Sequence, residues 1–233
     1  MNSHYTYFFI LAGALTGPLL LSFDTKVAFY KKWKYLFPAM IIPAVMYLSW
    51  DIFFTSKGVW GFNEKYITGL KLYTLPVEEV LFFFIVPYSC VFIYACIRSY
   101  FPGFNNKRTG DTVLKILAFG LGAVGIIFYK RYYTSWTFLL NAFFIALIYL
   151  RRNYFKHFDA TSFLVSWLLI QIPFLVVNGF LTAIPVVLYN NSENLGIRIY
   201  TIPFEDVFYG MLLVLMNIVI YEKLKTNENL PQK

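Results

Sequence analysis

Charge is scarce in this chain. Only 14% of its 233 residues are Asp, Glu, Lys or Arg, where a soluble domain carries about 25%. Cysteine and histidine are scarcer, with two of each. Cys90 and Cys96 share one apolar stretch, which excludes a disulfide framework and offers no paired metal spacing. They read as small packing residues. His4 and His157 lie outside the apolar runs with no ligand partner at useful spacing, so no metal site is predicted. A nucleotide fingerprint is also missing. "GLGAVG" at Gly120 to Gly125 matches GxGxxG, but it lies inside an apolar run with no strand before it. Asn141 stands about where a ribose-binding acid would be wanted. Small residues for close helix packing explain the stretch better, and no cofactor is predicted.

Apolar length is what the chain has instead: 59% of it is apolar and 21% aromatic. Seven runs stand out: "YFFILAGALTGPLLLSF", "YLFPAMIIPAVMYLSWDIFFT", "PVEEVLFFFIVPYSCVFIYACI", "TVLKILAFGLGAVGIIF", "SWTFLLNAFFIALIYL", "TSFLVSWLLIQIPFLVVNGFLTAIPVVL" and "TIPFEDVFYGMLLVLMNIVIY". Roughly 20 residues of helix cross a hydrocarbon core. Barrel strands would alternate polar and apolar residues, and these runs do not. In lipid every backbone polar group must be satisfied within the segment, which leaves helices. The reading is an all-α polytopic membrane protein with seven transmembrane helices. The first run lacks a basic leader and a clear cleavage site, so it is expected to be a retained helix.

The net charge of +8 does not point to nucleic acid, because the basic residues are sorted by side. Lys26, Lys31, Lys32, Lys34, Arg98, Lys107, Arg108, Arg151, Arg152, Lys156, Lys223, Lys225 and Lys233 follow the odd-numbered runs one, three, five and seven. Lys57, Lys65, Lys71, Lys130, Arg131 and Arg198 fall on the other side, and Lys115 opens the fourth run. The positive-inside rule then puts the C-terminus in the cytoplasm and the N-terminus outside.

Two acidic stretches repeat. "GLKLYTLPVEEV" from Gly69 and "GIRIYTIPFEDV" from Gly196 share six of twelve positions, 127 residues apart. In the same register Asp51 falls on Asn178, and the first run falls on the fifth. A three-helix unit is therefore used twice: residues 1–100, then a linking helix in 101–131, then 132–233. Three spans alone would invert the second unit. The linking helix restores parity, so the two units are parallel and both acidic motifs approach from one side.

Pro76 and Pro203 follow polar loops and open apolar runs, as proline does in a first helical turn. Glu78, Glu79, Glu205 and Asp206 therefore lie at helix starts. Helix-end electrostatics would account for one acid, at about 0.3–1 kcal/mol. Two adjacent pairs inside membrane spans point to function. Neighbours on a helix diverge by about 100°, so one of each pair faces a central cavity. Glu78 and Glu205 are favoured, with Glu79 and Asp206 as supports and the reverse left open. Asp51 is a further candidate, with the non-titrating Asn178 as its counterpart. Close buried carboxyls share protons and supply both an acid and a base. Trp50, Phe82, Phe83, Phe84, Phe204, Phe208 and Tyr209 crowd these acids, and aromatic faces stabilise cations. Together they suit chemistry that passes through a carbocation in a dry place.

Two other classes compete with this reading. A retinal protein needs a lysine in the seventh span, and there is none. A carrier for a small hydrophobic or organic solute with three-one-three repeats would want polar groups at the midplane, which is almost wholly apolar. The stretches "SFDTKVAFYKKWKYLFP", "WDIFFTSKGVWGFN", "LPVEEVLFFFIVPY" and "IPFEDVFYG" resemble the lycopene cyclase domain, in its fused single-chain form. The resemblance covers essentially the whole chain. It implies redox-neutral conversion of lycopene to β-carotene through γ-carotene, without a flavin. Its acidic motif lands on Pro76, Glu78 and Glu79, and again on Pro203, Glu205 and Asp206. Relatives that make ε-rings or act on C50 carotenoids leave the ring type open. The implied surroundings are a bacterial cytoplasmic membrane, its lipids, a lipid-dissolved carotenoid and contact with the desaturase upstream.

Overall fold

The computed structural model describes residues 3–101 and 107–227. Lys233, counted above for orientation, lies outside the described residues, as do the chain's first two positions and 102–106 of the linking segment. The described chain is mostly helix: α1 (Thr6–Leu21), α2 (Trp33–Ser56), α3 (Val77–Tyr100), α4 (Lys107–Ile127), α5 (Tyr132–Leu150), α6 (Ala160–Ala183) and α7 (Phe204–Asn227). Six of these, α2 to α7, are long and apolar enough to cross a membrane. The first run gives a shorter helix. Its 16 residues rise about 24 Å, less than a hydrocarbon core of roughly 30 Å. What stops it is local hydrogen bonding. Ser22 Oγ bonds back to the Pro18 carbonyl at 2.7 Å and meets the Tyr88 hydroxyl at 2.6 Å. The chain then turns on Asp24, whose carboxylate accepts the Val27 and Lys26 N–H groups at 3.0 and 3.1 Å. The Val27 bond holds the Asp24 carboxyl below its ordinary pKa.

Three short antiparallel ribbons sit among the helices. Strand β1 (Trp60–Phe62) pairs with β4 (Val187–Tyr189), β2 (Lys71–Leu72) with β3 (Leu75–Pro76), and β5 (Arg198–Ile199) with β6 (Ile202–Pro203). The last two are tight hairpins in matching positions before α3 and α7. Each is entered through a left-handed glycine, Gly69 (φ 84°) or Gly196 (φ 75°), and tipped by a left-handed tyrosine, Tyr73 (φ 56°) or Tyr200 (φ 58°). Glycine adopts that conformation freely, whereas each tyrosine is strained by about 1–2 kcal/mol. In the first hairpin Pro76 is the residue just before the helix rather than its first turn. In the longer ribbon Gly61 faces Leu188.

Helix packing interlocks the two ends of the chain. α1 lies on α3 and α5 on α7, while α2 packs against α7 and α6 against α3. α4 lies on α5 and α6. The "GLGAVG" stretch is helical, and Gly122 and Gly125 within it admit α5. A Cβ on Gly125 would stand 2.8 Å from Leu139 Cγ, and one on Gly122 would stand 3.5 Å from Ala142 Cβ. Close approach of this kind is what small residues permit between helices.

Candidate active site

The start of α1, the end of α2 and the start of α3 meet the start of α5, the end of α6 and the start of α7 around one cavity of about 60 Å³. Its lining includes Tyr7, Asp51, Glu79, Tyr133, Asn178 and Asp206. All three carboxyl side chains are buried. A buried carboxyl must find partners, and each does so in its own way. The Tyr7 hydroxyl donates to Glu79 Oε2 at 2.5 Å. Asp206 receives two phenols, Tyr133 on Oδ1 and Tyr189 on Oδ2, the latter at 2.9 Å. Asp51 Oδ1 accepts the indole N–H of Trp60, and Asp51 Oδ2 is buried with no partner among the described residues. Tyr189 sits on β4, outside the spans. Burial first, and then the Asp206 carboxylate, push its phenol well above its ordinary value, so it remains a donor.

The favoured acids lie elsewhere. Glu78 and Glu205 are fully buried, but they turn back toward the hairpins. Glu78 Oε1 accepts the Thr68 N–H at 2.7 Å. Glu205 Oε1 accepts the Leu195 N–H at 2.7 Å and the Thr134 hydroxyl at 2.6 Å. Each carboxylate thus ties the loop before its helix to the helix's first turn. That tie sets the helix phase and leaves Glu79 and Asp206 pointing inward.

The same phase sorts the aromatic residues. On α3 the cavity takes Glu79, Phe82 and Val86, and on α7 it takes Asp206, Tyr209, Gly210 and Leu213. These are steps of three, four and seven, as one face of a helix requires. Phe82, Tyr209 and Asn178 therefore line the cavity as expected. Trp50, Phe83, Phe204 and Phe208 do not. Trp50 and Phe83 pack behind it on Tyr47, with ring centroids 5.4 and 5.5 Å away. Phe204 and Phe208 meet edge to face on the far face of α7, where Phe208 also meets Phe138.

A second, larger cavity of about 820 Å³ lies between α1, α3 and α6, within the usual 300–1,000 Å³ of ligand pockets. Its lining is almost wholly apolar, including Phe9, Gly13, Gly17, Ile93 and Val177. Phe82, Val86, Phe174 and Asn178 line both cavities, so the apolar groove runs up to the carboxyls.

The family model for lycopene cyclase matches residues 4–97 and 130–224. The chain belongs to the lycopene cyclase family. The two matched segments leave out all of α4 and contain every residue of the small cavity's lining. Among curated relatives, a bifunctional lycopene cyclase/phytoene synthase of Aspergillus oryzae is 28% identical over 136 residues, 54% of this chain and 22% of that protein. One of the same description from Leptosphaeria maculans is 30% identical over 86 residues, 36% of this chain and 13% of that protein. The chain therefore spans well under half the length of these relatives. No solved structure matches it.

Four partners of the carboxyls escaped the sequence reading: Tyr7, Trp60, Tyr133 and Tyr189. One signal was available. In the 127-residue register Tyr7 falls on Thr134 and Thr6 on Tyr133, so each unit opens with a tyrosine and a threonine, in opposite order.

Proposed function

We propose that this protein is a lycopene β-cyclase, converting lycopene to β-carotene through γ-carotene. The observation that carries this is the junction of the two cavities, where an apolar groove ends on three buried carboxyls. A polyene chain lies in the groove, with one end group at Phe82, Phe174 and Asn178. A protonated carboxyl, from Asp51, Glu79 or Asp206, adds its proton to the terminal double bond. The next double bond attacks the resulting cation and closes a six-membered ring. A second carboxyl, ionised, then removes a proton from the ring cation. One C–C bond forms, one proton enters and one leaves, so the reaction is a redox-neutral isomerisation.

General acid–base catalysis supplies typically 10²–10⁴-fold. The rest falls to stabilisation of the cation by fixed negative groups and ring faces in a dry site, here the carboxylates with Phe82 and Tyr209. Glu78 and Glu205 act as positioning residues that hold the helix phase.

The organisation that accompanies this reading is two parallel three-helix repeats, residues 1–100 and 132–233, joined by the helix within 101–131 as seven transmembrane helices. The matched hairpins, the matched carboxylate ties and the spacing of Gly61 and Leu188 support it. The sorting of basic residues supports a C-terminus in the cytoplasm, in a bacterial cytoplasmic membrane where lycopene arrives from the desaturase.

Expression in a lycopene-accumulating bacterium tests the reading. The expected pigments are β-carotene with some γ-carotene. An ε-ring or C50 product would revise the ring type or substrate, and unaltered lycopene beside abundant protein would overturn the enzyme in favour of a carrier.

A further inference from the structure

We propose that the polyene reaches the carboxyls from one side only, along the α1–α3–α6 groove, and that one ring is closed per binding event, with the monocyclic product released before the second. This rests on the cyclase reading. The observation behind it is a difference between the two halves of the chain. In the groove Gly13 and Gly17 face open space, with no atom of the described residues within 4 Å of where a Cβ would be. The rim residues Phe9, Val176 and Phe180 are more than half exposed, so the groove opens sideways.

In the 127-residue register the counterparts of Phe9, Gly13 and Gly17 are Trp136, Leu140 and Phe144. There the space is filled. The Trp136 ring lies 6.5, 5.6 and 5.5 Å from the rings of Trp50, Phe53 and Phe54. Leu140 and Phe144 pack against the buried cluster that contains Tyr47, Trp50 and Tyr133. On the α6 wall, Val177 in the groove has Trp50 as its counterpart. What is open beside α1 is packed with side chains beside α5.

The consequence follows from the substrate's shape. A linear polyene has a reactive group at each extremity, and the groove presents one extremity to the carboxyls while the other points away. Each closure takes up one proton and gives one back, so the monocycle is still a substrate at its open end. To use that end it must leave sideways, turn and re-enter.

A pulse–chase experiment reads this directly. The purified protein in liposomes receives labelled lycopene, then unlabelled γ-carotene in tenfold excess. Release predicts that label in the bicyclic product falls about tenfold by mass action. Label that enters the bicyclic product undiminished overturns the proposal. A wild-type protein that leaves lycopene uncyclised overturns the cyclase reading itself, a separate failure. The route is tested by Gly13→Leu and Gly17→Leu, which should abolish cyclisation. Gly120→Leu, on α4 with equally open surroundings, should retain it. Full turnover with both groove positions filled overturns the route. Should the leucine variants fail to insert, Gly17→Ala serves, with a raised KM and unchanged kcat expected and an unchanged KM counting against the groove.

Discussion

Gly61 pairs with Leu188 at the centre of the β1–β4 ribbon, and the two residues stand 127 positions apart, the same separation as Gly69 and Gly196. Each strand therefore meets its own counterpart running the other way, as a local two-fold axis between them would require. The neighbouring pair is Trp60 with Tyr189. Trp60 donates to Asp51 and Tyr189 to Asp206, so one ribbon places a donor on two of the three carboxyls.

Removing that indole should be felt. In Trp60→Phe buried Asp51 loses the indole on Oδ1, which leaves both of its oxygens unsatisfied. An unsatisfied buried group costs about 1–3 kcal/mol, so the thermal midpoint in detergent should fall by several degrees. Turnover of lycopene should fall with it. A variant indistinguishable from wild type in both measurements would mean that Asp51 is not held by Trp60.

The acids should separate into two classes. Glu79→Gln and Asp206→Asn keep shape but cannot hold a transferable proton, and each should lower turnover by about 10²–10⁴-fold. Glu78→Gln and Glu205→Gln keep a carbonyl oxygen for the Thr68 and Leu195 N–H groups. They should keep a tenth or more of wild-type turnover. Pigment analysis at matched protein levels decides the matter, and inverted results would move the chemistry to Glu78 and Glu205.

Alkaline stability should report on Tyr189. Its phenol is pushed above its ordinary value in the fold, whereas the unfolded chain ionises near pH 10. The neutral phenol thus contributes stability that is full below about pH 10 and is lost as pH rises toward the folded value. The drop in thermal midpoint between about pH 8 and pH 10.5 should be smaller in Tyr189→Phe than in wild type. An equal drop would show that this phenol is not what the fold protects.

Gly125→Leu should destabilise the α4–α5 contact, because the Cβ would press on Leu139. Overpacking costs typically 1–3 kcal/mol. Limited proteolysis of membranes should cut the variant faster than wild type, and an unchanged rate would mean that α4 yields without cost.

Much of this was legible in the sequence, for physical reasons. Apolar length gave every helix, though α1 came out shorter because Ser22 and Asp24 turn the chain early. Rare acids in apolar runs gave a set that includes the three carboxyls lining the small cavity. Which of two adjacent acids faces inward was not legible, because the phase of α3 and α7 is set by loop amides at Thr68 and Leu195 rather than by any side-chain pattern. Phe204 and Phe208 lie off the cavity for the same reason. The phenols were hidden by number: with 19 tyrosines in the chain, Tyr7, Tyr133 and Tyr189 carry no mark. Asn178 and Tyr209 were found because proximity in sequence to an acid, or to the counterpart of one, happened to match proximity in space.

The small cavity draws Tyr7, Asp51 and Glu79 from the first half of the chain and Tyr133, Asn178, Tyr189 and Asp206 from the second. Neither half encloses it. A doubled architecture could support two reaction centres, whereas the function proposed above uses one, at the seam. Copies that share a task need not each be competent. That freedom is visible where an aspartate stands against an asparagine, and where glycines stand against a leucine and a phenylalanine.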